Sequence, residues 1–166
     1  MLFNPAASVD TTLEQYVQQR ADDFSIALSE FCVRVGATDA TDLIDNVEAY
    51  LARLEQAECP VNHHWFDGLY SRETAIPGGT LFVTETHETT HPLFLMRGII
   101  SVWTKENGVV TIHAPCVLTT TPGTRRIAFA HIDTVGITVH ATKETDPELI
   151  RKQITSQRQN PLLTLS

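Results

Sequence analysis

The chain has 166 residues, of which 42% are hydrophobic, and it carries a formal net charge of −8 at pH 7. This length and composition predict one main soluble domain with its own core, and the negative charge argues against a nucleic-acid partner because it repels phosphate backbones. No apolar run approaches the roughly 20 residues of a membrane span, and the first residues lack the basic start and apolar stretch of a signal peptide, so neither a membrane span nor secretion is expected.

Two helices are predicted in the first third of the chain. Apolar residues recur at helical spacing up to Gly36, and a second apolar stripe begins near Asp39 to Asp42 and ends before Pro60. The two stripes consist of Leu13, Val17, Phe24, Leu28 and Phe31, and of Leu43, Val47, Leu51 and Leu54. Because such stripes usually belong to a core, residues 1–58 are predicted to form an antiparallel helical hairpin that packs on the main domain or on a second subunit.

After Pro60 the apolar pattern changes to period 2, which is typical of short strands. The Asn107-Gly108 pair tolerates the positive φ angles of a tight hairpin turn, so the strands on either side are predicted to pair antiparallel. Many short strands at even spacing favour a sandwich or barrel, and jelly rolls belong to this class. The predicted strands are 69–76, 80–87, 93–96, 99–104, 109–113, 116–121, 126–130 and 135–140.

A short helix is predicted near the C-terminus, because Asp146 suits an N-cap and Pro147 suits the first helical position. This helix is expected to run from residue 147 to about residue 157. The apolar tail 161–166 is expected to be docked or used by a partner, since an exposed leucine cluster is a liability. The predicted organisation is a hairpin over 1–58, a β-barrel over 59–146, and a helix with tail over 147–166.

Residues 79–98 have the spacing of the first motif of the cupin superfamily. That motif contains a glycine, two histidines one residue apart, a glutamate and a second glycine. Gly79, His87 and Gly98 fall on their places, whereas Glu85 replaces the first histidine and His91 replaces the glutamate. The resemblance implies a mainly β, cupin-type jelly-roll barrel. A carboxylate and two imidazoles on one face would suit Zn, Fe, Mn or Ni.

Arg126 stands at the histidine position of the second cupin motif, after the Pro122-Gly123 turn. A guanidinium has no free acceptor and stays protonated, so it cannot ligate a metal. A fixed cation at this place would also oppose a nearby dication. The second motif therefore resembles that of the cupins in its turn and differs from it in its ligand.

Two arrangements of these residues are open. In the first, Arg126 faces Glu85 across the barrel as a buried ion pair, and the site holds no metal. In the second, His87, His91 and His131 form a three-histidine site, and Arg126 lies further out to meet an anionic ligand. Because His131 has the opposite strand parity to Arg126, the second arrangement needs a bulge. No tightly bound cofactor is expected, and a divalent Zn, Fe, Mn or Ni ion is the alternative.

Other polar residues receive structural interpretations. His63 and His64 are adjacent, so their side chains diverge, and their segment is interpreted as a linker that packs Trp65 or Phe66 against the barrel. The three cysteines have no CxxC spacing, which indicates free thiols in a reducing compartment. Three isolated residues are likewise interpreted as structural, namely His113, Cys116 and His140.

A closer resemblance rests on blocks that span residues 59–146. They are Cys59-Pro60-Val61, His63-His64, Gly68-Leu69-Tyr70, Arg72-Glu73, His87, His91, Ala114-Pro115-Cys116, Pro122-Gly123-Thr124-Arg125-Arg126, His131, Asp133, Thr142 and Glu144-Thr145-Asp146. Together they resemble small cupin-like proteins encoded by tailed phages and prophages. Members commonly carry lysine at the position of Glu85, which favours His87, His91 and His131 as the histidines of interest.

The phage resemblance implies a location in the host cytoplasm or the virion. It favours a non-enzymatic, virion-associated accessory or adaptor protein that uses the barrel as a scaffold. Such a protein is expected to be a homo-oligomer, associating through the hairpin or a strand edge, with other virion proteins as candidate partners. The alternatives are a metal-dependent isomerase or dioxygenase, and a module that binds a small anion through Arg126 or Arg125.

Overall fold

A computed structural model describes residues 11–163 of the chain. Two helices come first, α1 (Thr11–Val35) and α2 (Ala40–Leu51), and a third, α3 (Pro147–Ile154), follows the strands. The strands are β1 (Val61–Phe66), β2 (Leu69–Ile76), β3 (Leu81–Val83), β4 (His91–Arg97), β5 (Ile99–Thr104), β6 (Gly108–His113), β7 (Cys116–Thr120), β8 (Ile127–Ala130) and β9 (Thr134–Ala141). A 3₁₀ turn (Pro161–Leu163) ends the described part, so the expectations for residues 1–10 and 164–166 lie outside it.

The strands form two antiparallel sheets. The five-stranded sheet has the order β1-β2-β9-β4-β7, and the four-stranded sheet has the order β3-β8-β5-β6. Without the edge strand β1, the remaining eight strands have the order of a jelly roll. This confirms the predicted mainly β jelly roll with N-terminal helices and a short C-terminal helix. The β5–β6 hairpin turns at Asn107-Gly108, as its sequence predicts.

Two segments differ from their predicted structure. The segment interpreted as a linker contains β1, which pairs with β2 along its whole length. The predicted strand 80–87 ends at Val83, because the chain beyond it bonds to other elements. Thr84 Oγ1 accepts from the Arg126 backbone N–H at 3.0 Å, and the carbonyl of Thr86 accepts from the N–H of Ser156 at 2.8 Å.

Both N-terminal helices pack on the outer face of the four-stranded sheet. Asp39 caps α2 by accepting from the Asp42 N–H at 3.0 Å. An apolar cluster joins the helices to strand β8 and consists of Phe24, Leu28, Leu43, Ile44, Val47 and Ile127. The helical region therefore packs on the main domain, which was one of the two predicted alternatives.

Helix α3 lies against the end of the barrel. The Asp146 side chain caps it by accepting from the N–H groups of Glu148 and Leu149, and its apolar face packs Ile150 and Ile154 on Tyr70. The helix is shorter than predicted. None of the helices in residues 11–163 combines the length and apolarity needed to cross a membrane.

Candidate functional site

The two sheets enclose a cavity of about 720 Å³. Its closed end is apolar and is lined by residues that include Ile76, Phe82, Leu95, Ile100, Val102 and Ile112. The end beneath α3 is polar and is lined by residues that include Tyr70, Arg72, His87, His91, Thr120, Arg126 and His140. Strand register produces this division, because the pairs Tyr70–His140 and His91–Thr120 lie at one end of the five-stranded sheet and Ile76–Thr134 lies at the other.

Three histidines meet at the polar end of the cavity. The ring centroids of His87 and His140 each lie 4.3 Å from that of His91, and they lie 6.1 Å from each other. His91 Nδ1 lies 3.0 Å from the carbonyl oxygen of Thr89, which can only accept, so Nδ1 carries a hydrogen, and in the neutral ring Nε2 carries the lone pair. Nε2 of His91 and the Nδ1 atoms of His87 and His140 are buried without a hydrogen-bond partner among the described residues.

The environment keeps two of these imidazoles neutral. Burial, and then the proximity of His91, lowers the pKa of His87 to about 4. Glu85 acts in the opposite direction, and Arg126 and Arg72 each add a smaller lowering effect. Burial and the neighbouring histidines likewise lower the pKa of His140 to about 4. At neutral pH both rings are uncharged and carry a free lone pair, so they can accept hydrogen bonds or ligate a metal.

The structure does not bring His131 to His87 and His91. His131 lies outside the cavity and is only 4% exposed. Its Nε2 lies 2.8 Å from Oγ of Ser101, which in turn lies 2.9 Å from Oγ1 of Thr111. This chain of polar groups occupies the face of the sheet that α1 covers.

His140, interpreted as structural from the sequence, takes the third place in the cluster. The sequence feature that indicates this position for His140 is the period-2 alternation of β9. This alternation puts His140 on one face with Thr134, Gly136 and Thr138. Which face points inward depends on the pairing of β9 with β2 and β4, and that pairing joins residues far apart in the chain.

Arg126 is partly buried in the cavity and forms no ion pair with a carboxylate of the described residues. Its guanidinium donates from Nη1 to Thr120 Oγ1 at 3.4 Å, and burial lowers its pKa. Glu85 pairs instead with Arg151 of α3, whose Nε donates to Oε1 at 2.6 Å. The Glu85–Arg126 ion pair of the first predicted arrangement is therefore not formed.

Arg125, the other predicted anion-binding arginine, is held elsewhere. It donates to Asp45 at 2.5 Å and to Glu48 at 2.6 Å, and its side chain is only 12% exposed. Asp45 also accepts from Arg158. Arg125 therefore joins α2 to the barrel, and of these two arginines Arg126 is the one that lines the cavity.

An aromatic wall flanks the histidine cluster. His63 Nδ1 lies 2.7 Å from the hydroxyl of Tyr70, and the ring of Trp65 lies 5.9 Å from that of His63 and 6.0 Å from that of Tyr70. The interpretation of Trp65 as an anchor on the barrel agrees with these contacts. Phe66, the other suggested anchor, is 63% exposed.

Helix α3 and the residues after it cover the polar end of the cavity. Pro147, Arg151 and Ile154 line the cavity from above. Two backbone hydrogen bonds of 2.8 Å hold the segment in place, from the N–H of Glu88 to the carbonyl of Ile154 and from Ser156 to Thr86. The exposed Glu85–Arg151 pair adds a third connection.

No family model matches the chain, and no curated protein matches it. The solved structures that are similar include the following three. Ectoine synthase from P. lautus is 11% identical over 62% of this chain and 78% of its own, with a TM-score of 0.49. Acetylacetone dioxygenase from Acinetobacter johnsonii is 16% identical over 52% of this chain, with a TM-score of 0.44, and the match spans 61% of the dioxygenase. A cupin-2 domain containing protein from Shewanella frigidimarina is 11% identical over 58% of this chain and 92% of its own, with a TM-score of 0.42.

These similarities are too low to transfer an activity. The assignment of the jelly roll rests on the strand order of the two sheets. The phage context stays a prediction, since none of these three similar structures is named as a phage protein.

Proposed function

We propose that the protein binds a small amphipathic organic anion in the barrel cavity. The acidic group of the ligand binds Arg126, and its apolar body packs against the closed end. The observation that carries this proposal is a partly buried arginine that faces a large cavity and has no carboxylate partner among residues 11–163. A buried cation without a counter-ion is costly, so a bound anion would relieve that cost.

The charges around the histidine cluster favour an anion over a cation. Arg126 and Arg72 both act to lower the pKa of His87, and Glu85, the carboxylate that acts to raise it, already pairs with Arg151. His87 and His140 are neutral at pH 7 and can donate one hydrogen each to a ligand oxygen. A guanidinium with flanking neutral donors is a suitable arrangement for a carboxylate, which it can bind by charge-assisted hydrogen bonds.

The closed end of the cavity favours an apolar ligand body. Its lining side chains are aliphatic or aromatic, and ligand cavities typically combine such walls with a few polar groups that fix orientation. The volume of about 720 Å³ lies within the usual range for small-molecule sites. The ligand class is therefore a carboxylate with a hydrocarbon or aromatic body.

Calorimetric titration tests this proposal with straight-chain carboxylates from butanoate to decanoate, each compared with its neutral amide. We expect wild-type protein to bind the carboxylates and to bind the amides more weakly. Arg126→Gln should weaken carboxylate binding by roughly 10- to 100-fold, because a hydrogen bond to a charged group contributes about 1.5–3 kcal/mol. It should leave amide binding nearly unchanged.

Arg97→Gln is the matched control, because Arg97 is 69% exposed and contacts Asp133 outside the cavity. It should bind the carboxylates as wild type does. Equal affinity of the Arg126→Gln variant and the wild type for the carboxylates would contradict the proposal, as would preference for the amides.

A divalent metal at the histidine cluster is the second candidate. The donor set fits, because three imidazoles around one ion, with bonds of roughly 2 Å, have ring centroids roughly 5 Å apart. The buried nitrogens of these three histidines have no hydrogen-bond partner among the described residues, which also favours a metal ion. The arrangement fits less well, since no group of three His, Cys, Asp or Glu side chains within residues 11–163 is placed to hold a metal ion. His87, His91 and His140 would be the ligands, and the ion would supply Lewis acidity to a bound anion.

Elemental analysis separates the two candidates. The anion-binding proposal needs no metal, and the two arginines that line the cavity beside the histidines lead us to expect well under one transition-metal ion per purified chain. Near-stoichiometric Zn, Fe, Mn or Ni that is lost in His87→Ala, His91→Ala and His140→Ala, but retained in His113→Ala, would favour a metal centre. The virion-associated adaptor role stays a prediction from sequence, and sedimentation of the protein with intact phage particles would test it.

A further inference from the structure

The outer face of the five-stranded sheet is apolar over β9, β4 and β7, whereas β1 and β2 point polar side chains outward, namely Asn62, His64, Ser71 and Glu73. Because side chains alternate along a strand, the residues that do not line the cavity point outward. In β9 these are aliphatic residues, and in β4 and β7 they include an aromatic ring and further aliphatic side chains. The outward set comprises Phe94, Met96, Val117, Val135, Ile137 and Val139.

Strand register joins these side chains into a continuous surface. Ile137 is directly opposite Phe94, and Phe94 is directly opposite Val117, so one apolar row crosses three neighbouring strands. Val117 is 63% exposed and Met96 is 54% exposed. A contiguous apolar patch on a sheet is characteristic of an interaction surface, whereas single exposed apolar residues are not.

The described helices do not cover this face. Helices α1 and α2 pack on strands of the opposite sheet, and α3 packs on Tyr70 at the end of the barrel. The outward residues Phe94, Val117 and Ile137 belong to none of the apolar clusters formed within the described part of the chain. The five-stranded sheet thus has one face toward the cavity and an outer face that the described helices leave uncovered.

We infer that this outer face, the row of Ile137, Phe94 and Val117 with its neighbours, binds a second copy of the chain. Two such sheets would pack face to face, as the layers of a sandwich do. A two-fold axis makes the same patch meet itself, which is the commonest form of homo-oligomer. The inference does not depend on the proposed ligand.

Size and charge both favour a second copy. Five strands about 4.8 Å apart and about seven residues long at about 3.3 Å per residue cover roughly 550 Å². Two copies would bury roughly 1,100 Å² in total, and a specific interface needs about 1,000 Å². The charged residues that point outward from these strands are Glu73 and Arg97, whose charges cancel. The face is neutral although the chain carries a net charge of −8, so like charge does not oppose its self-association.

Light scattering on the full chain after size exclusion tests this inference at tens of micromolar protein. Wild type should have twice the 18.4 kDa mass of one chain. Ile137→Lys and Val117→Lys each place a charge in the row and should give the mass of a monomer. Val117 is 63% exposed on an edge strand, so its variant should fold even if Ile137→Lys does not, and circular dichroism checks this.

Val33→Lys is the matched control, because Val33 is 83% exposed on α1 and far from the row. It should remain dimeric. A monomeric wild type would overturn the inference and leave the face to another segment or a foreign partner. A folded Val117→Lys that remains dimeric would also overturn it. Dissociation of Val33→Lys alone would assign the contact to the helices, as the sequence suggested.

Discussion

At the residue scale, Gly98 shows why the motif over residues 79–98 is structural. Gly98 has φ +104°, which L side chains rarely adopt. A Cβ added there would lie 2.7 Å from the Cα of Thr134, which is closer than real Cβ contacts. The glycine therefore lets β4 turn into β5 against the start of β9. The other glycine of this motif, Gly79, has φ +83°, and the space around its Cβ position is open.

The steric clash at Gly98 and the open space at Gly79 predict different effects for alanine substitutions at the two positions. Gly98→Ala should lower the free energy of unfolding by roughly 3 kcal/mol or more, because it adds a steric clash to a strained backbone. Gly79→Ala should cost only about 1–2 kcal/mol, because strain acts there without a clash. Urea unfolding measures both, and equal losses would show that the contact with Thr134 relaxes freely.

Residues 79–98 thus predicted the fold better than the chemistry. The glycines are required by backbone geometry, which any protein with this turn must satisfy. The ligand positions are free to change, and here Glu85 pairs with Arg151 while His87 and His91 meet His140. Identity at a motif position does not show where a side chain points.

At the element scale, helix α1 rests on a sheet face that contains a buried polar chain. His131 is buried there against Ser101, and its Nδ1 has no hydrogen-bond partner among the described residues. Burial, and then the nearby His113 and Arg20, lowers the pKa of His131 below its usual 6.5. The histidine that sequence reasoning assigned to a metal site is thus part of the contact between the helices and the barrel.

This contact should weaken in acid. The unfolded chain binds a proton at His131 near the ordinary pKa, whereas the folded chain resists it until a lower pH. The free energy of unfolding should therefore fall as the pH drops below about 6.5. His131→Gln should reduce that dependence, and urea unfolding over a pH series measures it.

The exposed His64 provides the comparison for this titration. His64→Gln should keep the wild-type loss of stability in acid, since that side chain is 48% exposed. An unchanged pH dependence in His131→Gln would show that other groups cause the loss. Because burial also lowers the pKa values of His87 and His140, these residues contribute to the same loss, and the comparison isolates the share of His131.

At the scale of the whole molecule, one buried carboxylate joins three separate parts of the chain. Asp45 of α2 is 4% exposed and accepts from Arg125, which precedes β8, and from Arg158, which follows α3. Burial alone would raise its pKa, but the hydrogen bonds from Arg158 and Arg125 outweigh this and lower it. Asn160 adds a donor to the Asp45 carbonyl at 2.9 Å.

Removal of this charge should destabilise the whole fold. Asp45→Asn should lower the free energy of unfolding by about 3 kcal/mol, because it breaks a buried ion pair and leaves Arg125 with Glu48 as its remaining carboxylate. Asp133→Asn, at a pair whose side chains are about 70% exposed, should change it by no more than about 0.5 kcal/mol. Thermal and urea unfolding of both variants check this, and similar losses for the two would contradict a central role for Asp45.

The sequence by itself predicted most of the secondary structure, and the resemblance of residues 79–98 to the first cupin motif added the jelly roll. Apolar periodicity, the Asn107-Gly108 turn and the caps at Asp39 and Asp146 are local signals, and each acts within a few residues of its own position. β1 was missed because it carries aromatic and imidazole side chains in place of a plain apolar alternation.

Only the tertiary structure decided the composition of the site. It replaced His131 with His140, paired Glu85 with Arg151, and left Arg126 facing the cavity. It also exposed the outer apolar face of the five-stranded sheet. Strand pairing over long sequence separations sets which face of each strand points inward, and no local pattern contains that information.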